Sequence, residues 1–236
     1  MAKKKISGGL TGLERVGGTI FFVCYLLLLP LAAGPARKLA GELLGRRISE
    51  ELYGAAYYYV LFAVTAVLFH HLLGVSTRRF LDEPGRTLKT AAVGVVAHYG
   101  LIELAARLGK VLADRSGNLN DSVISARTGS APHMTLLIVL FLAPFVEETL
   151  FRGLVFGGLR EKSRLLAYAA SCALFALLHV WQFAVAGRDP AYFLLMVQYL
   201  IPGLVLAWAY DHAGTLWAPI GLHAGVNALS VLAGSL

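Results

Sequence analysis

Two adjacent carboxylates and an arginine lie inside one strongly apolar segment of the chain. They are Glu147, Glu148 and Arg152 of LFLAPFVEETLFRGLVFGGL, which runs from Leu140 to Leu159. Residues four apart share one face of an α-helix, so Glu148 and Arg152 are predicted to form an ion pair. Neighbouring residues are about 100° apart around the helix axis, so Glu147 points elsewhere and can face a cavity. The alternative is a single buried network that only fixes helix packing.

Two other apolar segments carry polar side chains at helical spacing. The sequence FALLH places His179 one turn after Phe175, and HAGVN places His223 one turn before Asn227. A single histidine on an apolar helix often only hydrogen-bonds a neighbouring helix, and small residues such as those in HAGVN allow close helix packing. An ionisable residue inside a membrane span is also a functional-site candidate by default. Each residue taken alone therefore permits a structural and a functional interpretation.

Taken together, these side chains have the chemistry needed to hydrolyse a peptide bond. A carboxylate held away from water suits a general base, so Glu147 is predicted to activate a water molecule with the help of His179. His223 and Asn227 can donate hydrogen bonds to the oxyanion that develops on the scissile carbonyl. Alternatively, Glu147, His179 and His223 supply three ligands that suit Zn²⁺, with water in the fourth position.

Other chemistries find little support in the sequence. Ser171 lies eight residues before His179, about 12 Å along a helix axis, which is too far for contact with that base. Cys172 is similarly distant, so a serine or cysteine nucleophile is disfavoured. No glycine-rich phosphate loop follows a strand. No basic stretch is interleaved with aromatic residues as a nucleic-acid groove requires.

The elements that must position these side chains are predicted to be membrane-spanning helices. Of the 236 residues, 57% are hydrophobic and 15% are charged, whereas a soluble domain carries about 25% charged residues. A chain with so few charges cannot cover a globule with a polar surface. The predicted fold is therefore an all-α polytopic transmembrane bundle that forms a single integral-membrane domain over residues 1–236 and encloses a catalytic cavity.

Seven apolar stretches are long enough to be spans, and an eighth span could be hidden at Pro35–Leu52. That segment has basic residues among leucines and reads as an interfacial helix or as a helical extension of the first span. The longest polar link, Asp114–His133, is predicted to be a loop. The seven stretches are Gly18–Gly34, Ala55–Val75, Leu88–Ala113, Met134–Leu159, Arg164–Ala186, Tyr192–His212 and Leu216–Leu236.

The basic residues predict the orientation and the surroundings of the bundle. The net charge is +7, and its Lys and Arg residues cluster between apolar stretches, where they contact anionic lipid headgroups. The segments predicted on one side of the bundle, which include the N-terminal segment, hold eleven of these basic residues. The segments predicted on the other side hold eight. The N-terminus is therefore predicted to be cytoplasmic. The link between the fourth and fifth spans, and the mouth of the site nearest to it, are expected on the same side of the plasma membrane.

Three motifs in order carry a family resemblance. EETLFR, FALLH and HAGVN resemble the E-E-x-x-x-R, F-x-x-x-H and H-x-x-x-N motifs of the CAAX prenyl endopeptidase and bacteriocin-processing (Abi, or CPBP) intramembrane protease family. The resemblance covers about residues 141–229 and implies a catalytic core at 133–236. It implies that the glutamate and histidine of the first two motifs activate water, and that the third motif binds the oxyanion. The second glutamate and the arginine of the first motif then hold supporting positions.

The resemblance also bears on cofactor and substrate. The family has been described both as metalloproteases and as glutamate-dependent proteases, and the metal-free account is favoured here. The implied substrate is a membrane-anchored or lipidated protein or peptide, including CAAX-type prenylated proteins. Two other functions remain open: a catalytically silent binding or immunity protein on the same scaffold, and a proton-coupled transporter, which the lack of repeat symmetry between the halves disfavours.

Overall fold

The computed structural model describes residues 9–112 and 132–234 of the chain. This part of the chain is helical throughout apart from short connections, and it contains no strand, which confirms the predicted all-α fold. The predicted loop at Asp114–His133 lies outside the described residues except at its last two positions. The described helices are α1 (Gly12–Leu43), α2 (Glu50–Leu68), α3 (His70–Asp82), α4 (Pro84–Leu112), α5 (His133–Arg160), α6 (Arg164–Gly187), α7 (Pro190–Ala213) and α8 (Trp217–Gly234).

Within the described residues, five helices are long and apolar enough to cross a membrane: α1, α2, α5, α6 and α7. The apolar helix Trp217–Ala233 in α8 is shorter. Helix α4 has 29 residues and packs along α7 and α8. The seven predicted apolar stretches therefore fall on helices where they are described, with a break at Phe69 in the second, and the chain is an integral membrane protein.

The predicted second stretch, Ala55–Val75, is not a single helix. Helix α2 ends at Leu68, and Phe69 leaves the helical backbone region with φ −106° and ψ 26°. The first backbone N–H groups of α3 need acceptors from outside the helix. The buried carboxylate of Glu14 in α1 supplies one, because its Oε1 accepts from the Leu72 N–H at 2.9 Å. The interruption therefore fixes the start of α3 next to the start of α1.

Of the two interpretations of Pro35–Leu52, the helical extension is correct as far as Leu43. The helix that begins at Gly12 continues through Pro35 to this point. Gly45 then adopts the left-handed region with φ 62°. The Ser49 hydroxyl accepts from the Leu52 N–H at 3.2 Å, which caps the start of α2.

Polar contacts gather several helix ends at one end of the bundle, called here the basal end. The carboxylate of Asp211, near the end of α7, forms ion pairs with Arg160 and Arg164, which flank the link from α5 to α6. The Thr215 hydroxyl before α8 donates to the Ser76 carbonyl of α3 at 2.9 Å. The short connections after α1 and α6 lie at the opposite, distal end, because consecutive spans run in opposite directions.

Candidate active site

The two glutamates lie on a short α-helical stretch of α5 between two π-helical ones. Ala143–Glu148 is α-helical, and Ile138–Leu142 and Thr149–Phe156 are π-helical. In a π-helix the N–H of residue i bonds to the carbonyl of residue i−5. The Ala143 N–H does this with Ile138. The next residue, Pro144, has no N–H, so the Val139 carbonyl loses its partner within the helix.

Asn227 supplies the missing donor. Its Nδ2 donates to the Val139 carbonyl oxygen at 2.7 Å across the contact between α8 and α5. Proline is tolerated in membrane helices where a neighbouring helix bonds the freed backbone group. Pro144 therefore interrupts the hydrogen bonding within α5, and the asparagine of the HAGVN motif has a structural task. Its second N–H remains available for another acceptor.

Arg152 is fully buried and has three partners on three helices. Its Nη1 donates to Glu148 Oε1 at 3.0 Å, so the predicted ion pair is present. Its Nη2 donates to the Gly203 carbonyl of α7 at 3.0 Å. The guanidinium carbon also lies 4.5 Å from the centre of the Phe175 ring on α6. A side chain at Gly203 would crowd the Cys172 backbone of α6, so glycine allows the two helices to approach each other here.

The same Glu148 oxygen also binds His223. The His223 Nδ1 lies 2.8 Å from Glu148 Oε1, which links the EETLFR motif of α5 to the HAGVN motif of α8. A carboxylate oxygen only accepts, so Nδ1 carries the proton in this bond. Glu148 is therefore the acceptor for two donors that lie on different helices, whereas the sequence assigned it only to Arg152.

Glu147 faces a different direction and lines a cavity of about 680 Å³. Its side chain is 6% exposed, and its Oε2 has no hydrogen-bond partner among the described residues. His179 lines the same cavity. The lining therefore brings together a desolvated carboxylate and an imidazole, whereas His223 and Asn227 are not part of it.

The contacts of His179 determine which ring nitrogen carries the proton. Its Nδ1 lies 2.9 Å from the Phe175 carbonyl oxygen, which can only accept. The neutral ring therefore carries its hydrogen on Nδ1 and has a lone pair on Nε2. The Tyr199 ring stacks on His179 with centroids 4.7 Å apart, which holds the ring plane. His179 thus offers Nε2 as a hydrogen-bond acceptor.

The first helix forms a wall of the cavity that no motif indicated. Its part from Leu29 to Leu43 has no buried residue. Tyr25 lies within a π-helical turn, Cys24–Leu28, which immediately precedes that part in the chain. The cavity lies between this part of α1 and the distal halves of α2, α5 and α6. The residues of α1 that line it are Tyr25, Pro30, Ala33, Gly34 and Arg37. The two prolines of α1 were the available signal, because each interrupts backbone hydrogen bonding.

The position of the cavity corrects the expected location of the mouth. The cavity is lined by Arg37 and Glu50, which pair at 3.2 Å near the distal end, and by Met134 at the start of α5. Arg160 lies about 39 Å further along α5 at 1.5 Å per residue. Among the described residues, the cavity therefore opens toward the end opposite to the link between α5 and α6. The expectation that the mouth lies nearest to this link is wrong.

The suggested ligand set for a metal is not assembled in the described residues. No group of three or more His, Cys, Asp or Glu side chains in residues 9–112 and 132–234 is arranged to hold an ion. His179 and His223 donate from Nδ1 to the Phe175 carbonyl and to Glu148, so Nε2 of each ring is the atom that could bind a metal. Glu147 and His179 share a cavity whose lining does not include His223. As placed in the described residues, these donors do not gather around one position for Zn²⁺.

Comparison with known proteins agrees with the three motifs. Residues 129–229 match the family model described as "Type II CAAX prenyl endopeptidase Rce1-like". An uncharacterized 24.3 kDa protein of Escherichia coli is 26% identical over 188 residues, which are 78% of this chain and 84% of that protein. No solved structure matches the chain significantly. The matched region contains all three motifs, so the predicted family resemblance is confirmed.

The first prediction concerns the buried ion pair. Replacing Arg152 by Ala leaves Glu148 buried without its cation, and we expect the free energy of unfolding to fall by about 3–5 kcal/mol. The matched control is Arg107→Ala, because Arg107 and Glu103 form an exposed pair with the same spacing. Such a pair contributes about 0–1 kcal/mol. Thermal unfolding in detergent compares the two variants, and equal losses would contradict a special role for the buried pair.

The second prediction concerns Asn227 and Pro144. Asn227→Leu leaves the Val139 carbonyl without a donor, and we expect a loss of about 1–3 kcal/mol of stability. Pro144→Ala restores an N–H that can reach this carbonyl, so the same Asn227→Leu change should cost less in that background. A double-mutant cycle measures the difference. Additive losses, within about 0.5 kcal/mol, would show that the two residues do not share this carbonyl.

Proposed function

We propose that this chain, an Rce1-like membrane protein over residues 129–229, is an intramembrane endopeptidase with its catalytic core at 133–236. Its substrate is a membrane-anchored or lipidated protein or peptide, with CAAX-type prenylated proteins as the class that the family suggests. One observation carries the proposal. Glu147 has a buried carboxylate oxygen without a partner among the described residues, and it shares a cavity with His179.

The proposed reaction begins with a water molecule between Glu147 and His179. Glu147 removes a proton from this water as its oxygen attacks the scissile carbonyl carbon, and His179 Nε2 accepts the second hydrogen bond of the water and orients it. The carbonyl oxygen becomes an oxyanion. Glu147 then returns the proton to the leaving amine as the carbon–nitrogen bond breaks, so atoms and charge balance over the step.

His223 and Asn227 are proposed as the oxyanion-binding pair. Each has one group engaged within the protein and one left over: Nε2 of His223 and the second N–H of Asn227. His223 donates from Nε2 only as an imidazolium, and the carboxylate of Glu148 is the counter-charge for that form. Arg152 supports the pair indirectly, because it holds Glu148 in place.

The proposal is a glutamate-dependent reaction in which the protein supplies the base. The charge arrangement supports this division of tasks. Glu148 is engaged by a guanidinium and an imidazole, whereas Glu147 is oriented toward the cavity. A general base must be within reach of the water whose proton it accepts. Each glutamate has one oxygen without a partner among the described residues, but of the two only Glu147 lines the cavity, whereas Oε1 of Glu148 is bound to Arg152 and His223.

The third prediction tests the general base. Glu147→Gln removes the proton acceptor while keeping the shape of the side chain, so we expect cleavage to fall by about 10²–10⁴-fold with the protein still folded. The assay uses a quenched-fluorescence peptide with a farnesylated CAAX end in proteoliposomes. The matched control is Glu50→Gln, since Glu50 lines the same cavity but is largely exposed at its rim. That variant should cleave as the wild type does.

Wild-type cleavage by Glu147→Gln would refute this mechanism. Removal of metal ions from the wild-type protein with EDTA distinguishes a glutamate-dependent protease from a metal-dependent one, because the glutamate-dependent enzyme keeps its activity. Loss of activity on stripping, with recovery on adding Zn²⁺, would replace the glutamate mechanism by a metal-dependent one. A wild-type protein that binds the peptide without cleaving it would favour the alternative of a catalytically silent binding or immunity protein.

The fourth prediction concerns the side of the plasma membrane that the mouth faces. The bias of eleven to eight basic residues favours a cytoplasmic basal end, and the mouth then opens on the other side. Single cysteines at Leu44 (distal) and His212 (basal), in a chain with Cys24 and Cys172 replaced by Ala, leave the Lys and Arg count unchanged. An impermeant maleimide should label Leu44→Cys in intact cells and His212→Cys only after lysis.

The reverse labelling pattern would place the mouth in the cytoplasm, as first expected from the sequence. That outcome would favour substrates with lipidated tails presented to the cytoplasmic leaflet. The pattern predicted from the charges favours membrane-anchored segments that are presented on the other side. The measurement therefore narrows the substrate class as well as the topology.

A further inference from the structure

Tyr25 is a polar residue on the wall of the catalytic cavity that lies outside all three motifs. Its side chain is only 4% exposed, and it lines the cavity together with Glu147 and His179. Most other polar residues of the lining, such as Arg37 and Glu50, lie toward the distal end and are more exposed. Tyr25 therefore belongs to the deep part of the cavity, where the reacting bond must lie.

Tyr25 shares the cavity with the proposed general base, Glu147. The side chain interacts electrostatically with Glu147, and with Tyr57 and Tyr58 across the cavity on α2. A phenol in such surroundings is a hydrogen-bond donor that does not need to ionise. Tyr25 can thus stabilise negative charge beside Glu147 without itself adding a charge to the membrane interior.

The site has a need for such a donor on the cavity side. Glu147 and the Nε2 lone pair of His179 are both acceptors in the state that binds water. The donors that remain on His223 and Asn227 lie on α8, and neither residue is among those that line the cavity. Without a further donor, an oxyanion formed within reach of Glu147 could accept hydrogen bonds only from His223 and Asn227 on α8.

Local backbone structure gives Tyr25 this orientation. It lies in the π-helical turn Cys24–Leu28, and such turns change the direction in which following side chains point. Residues five apart come onto one face in a π-turn, which aligns Tyr25 with Pro30. Pro30, Ala33 and Arg37 then continue the same cavity-facing row at ordinary helical spacing. The π-turn therefore places the phenol at the base of this row.

We propose that Tyr25 is a further catalytic residue, whose hydroxyl donates a hydrogen bond to the oxyanion of the tetrahedral intermediate from the cavity side. The inference rests on the proposed peptidase function. The bond strengthens as negative charge develops on the carbonyl oxygen, so it stabilises the transition state more than the bound substrate. Tyr25 transfers no proton, and the proton path through Glu147 is unchanged.

The fifth prediction is that Tyr25→Phe lowers kcat of the farnesylated CAAX peptide by about 10²–10³-fold, the usual cost of one oxyanion donor, with little change in KM. Tyr57→Phe is the matched control, because it removes a hydroxyl from the α2 wall of the same cavity. It should keep wild-type kcat. Thermal unfolding of both variants should match the wild type, since neither change removes apolar surface.

A peptidyl phosphonate provides a second readout that a structural role would not alter. Its tetrahedral oxygens resemble the intermediate, so Tyr25→Phe should weaken its binding by about the same factor as the fall in kcat/KM. Binding of the uncleaved peptide to the Glu147→Gln variant should not depend on Tyr25.

The outcomes separate the two proposals. An active wild type, an inactive Glu147→Gln and a fully active Tyr25→Phe would overturn the role of Tyr25 and leave the peptidase function intact. Equal losses in Tyr25→Phe and Tyr57→Phe, or an unchanged phosphonate affinity, would also overturn it. A wild type that cleaves no member of the substrate class would overturn both.

Discussion

The buried guanidinium of Arg152 is the group on which the rest of the site depends. A cation without exposure to solvent is stable only where counter-charge and hydrogen-bond acceptors surround it. Its three partners come from different helices: Glu148 in α5, Phe175 in α6 and Gly203 in α7. Through Glu148 the network continues to His223 of α8. One side chain therefore fixes how four helices meet at mid-membrane.

This network explains why the chain carries two adjacent glutamates. A single glutamate that paired with Arg152 would be neutralised and could not serve as a base. The neighbouring position lies about 100° around the helix axis. A residue there lies at nearly the same depth in the membrane but contacts different groups. Glu148 balances the charge, and Glu147 projects into the cavity.

Contacts between residues on one helix were predictable from the sequence, and contacts between residues far apart in the sequence were not. The pair of Glu148 with Arg152 follows from a spacing of four residues on one helix. The bond between His223 and Glu148 joins residues 75 apart, and no periodicity encodes it. The end of α2 at Leu68 was also missed, because apolar residues continue through it and the deciding contact comes from Glu14. Hydrophobicity likewise gives no sign that Leu29–Leu43 would lack buried residues.

The two sides of the cavity are formed by the same backbone arrangement. In α1 the π-turn ends at Leu28 and proline follows at position 30, and in α5 the π-turn ends at Leu142 and proline follows at position 144. Each proline lacks the N–H that would bond five residues back, which frees the carbonyl of Tyr25 in one helix and of Val139 in the other. Asn227 satisfies the second. The first belongs to Tyr25, whose side chain lines the cavity together with Glu147. In both helices of the cavity wall, a proline therefore follows a π-turn by two residues, and this arrangement is separate from the residues of the three motifs.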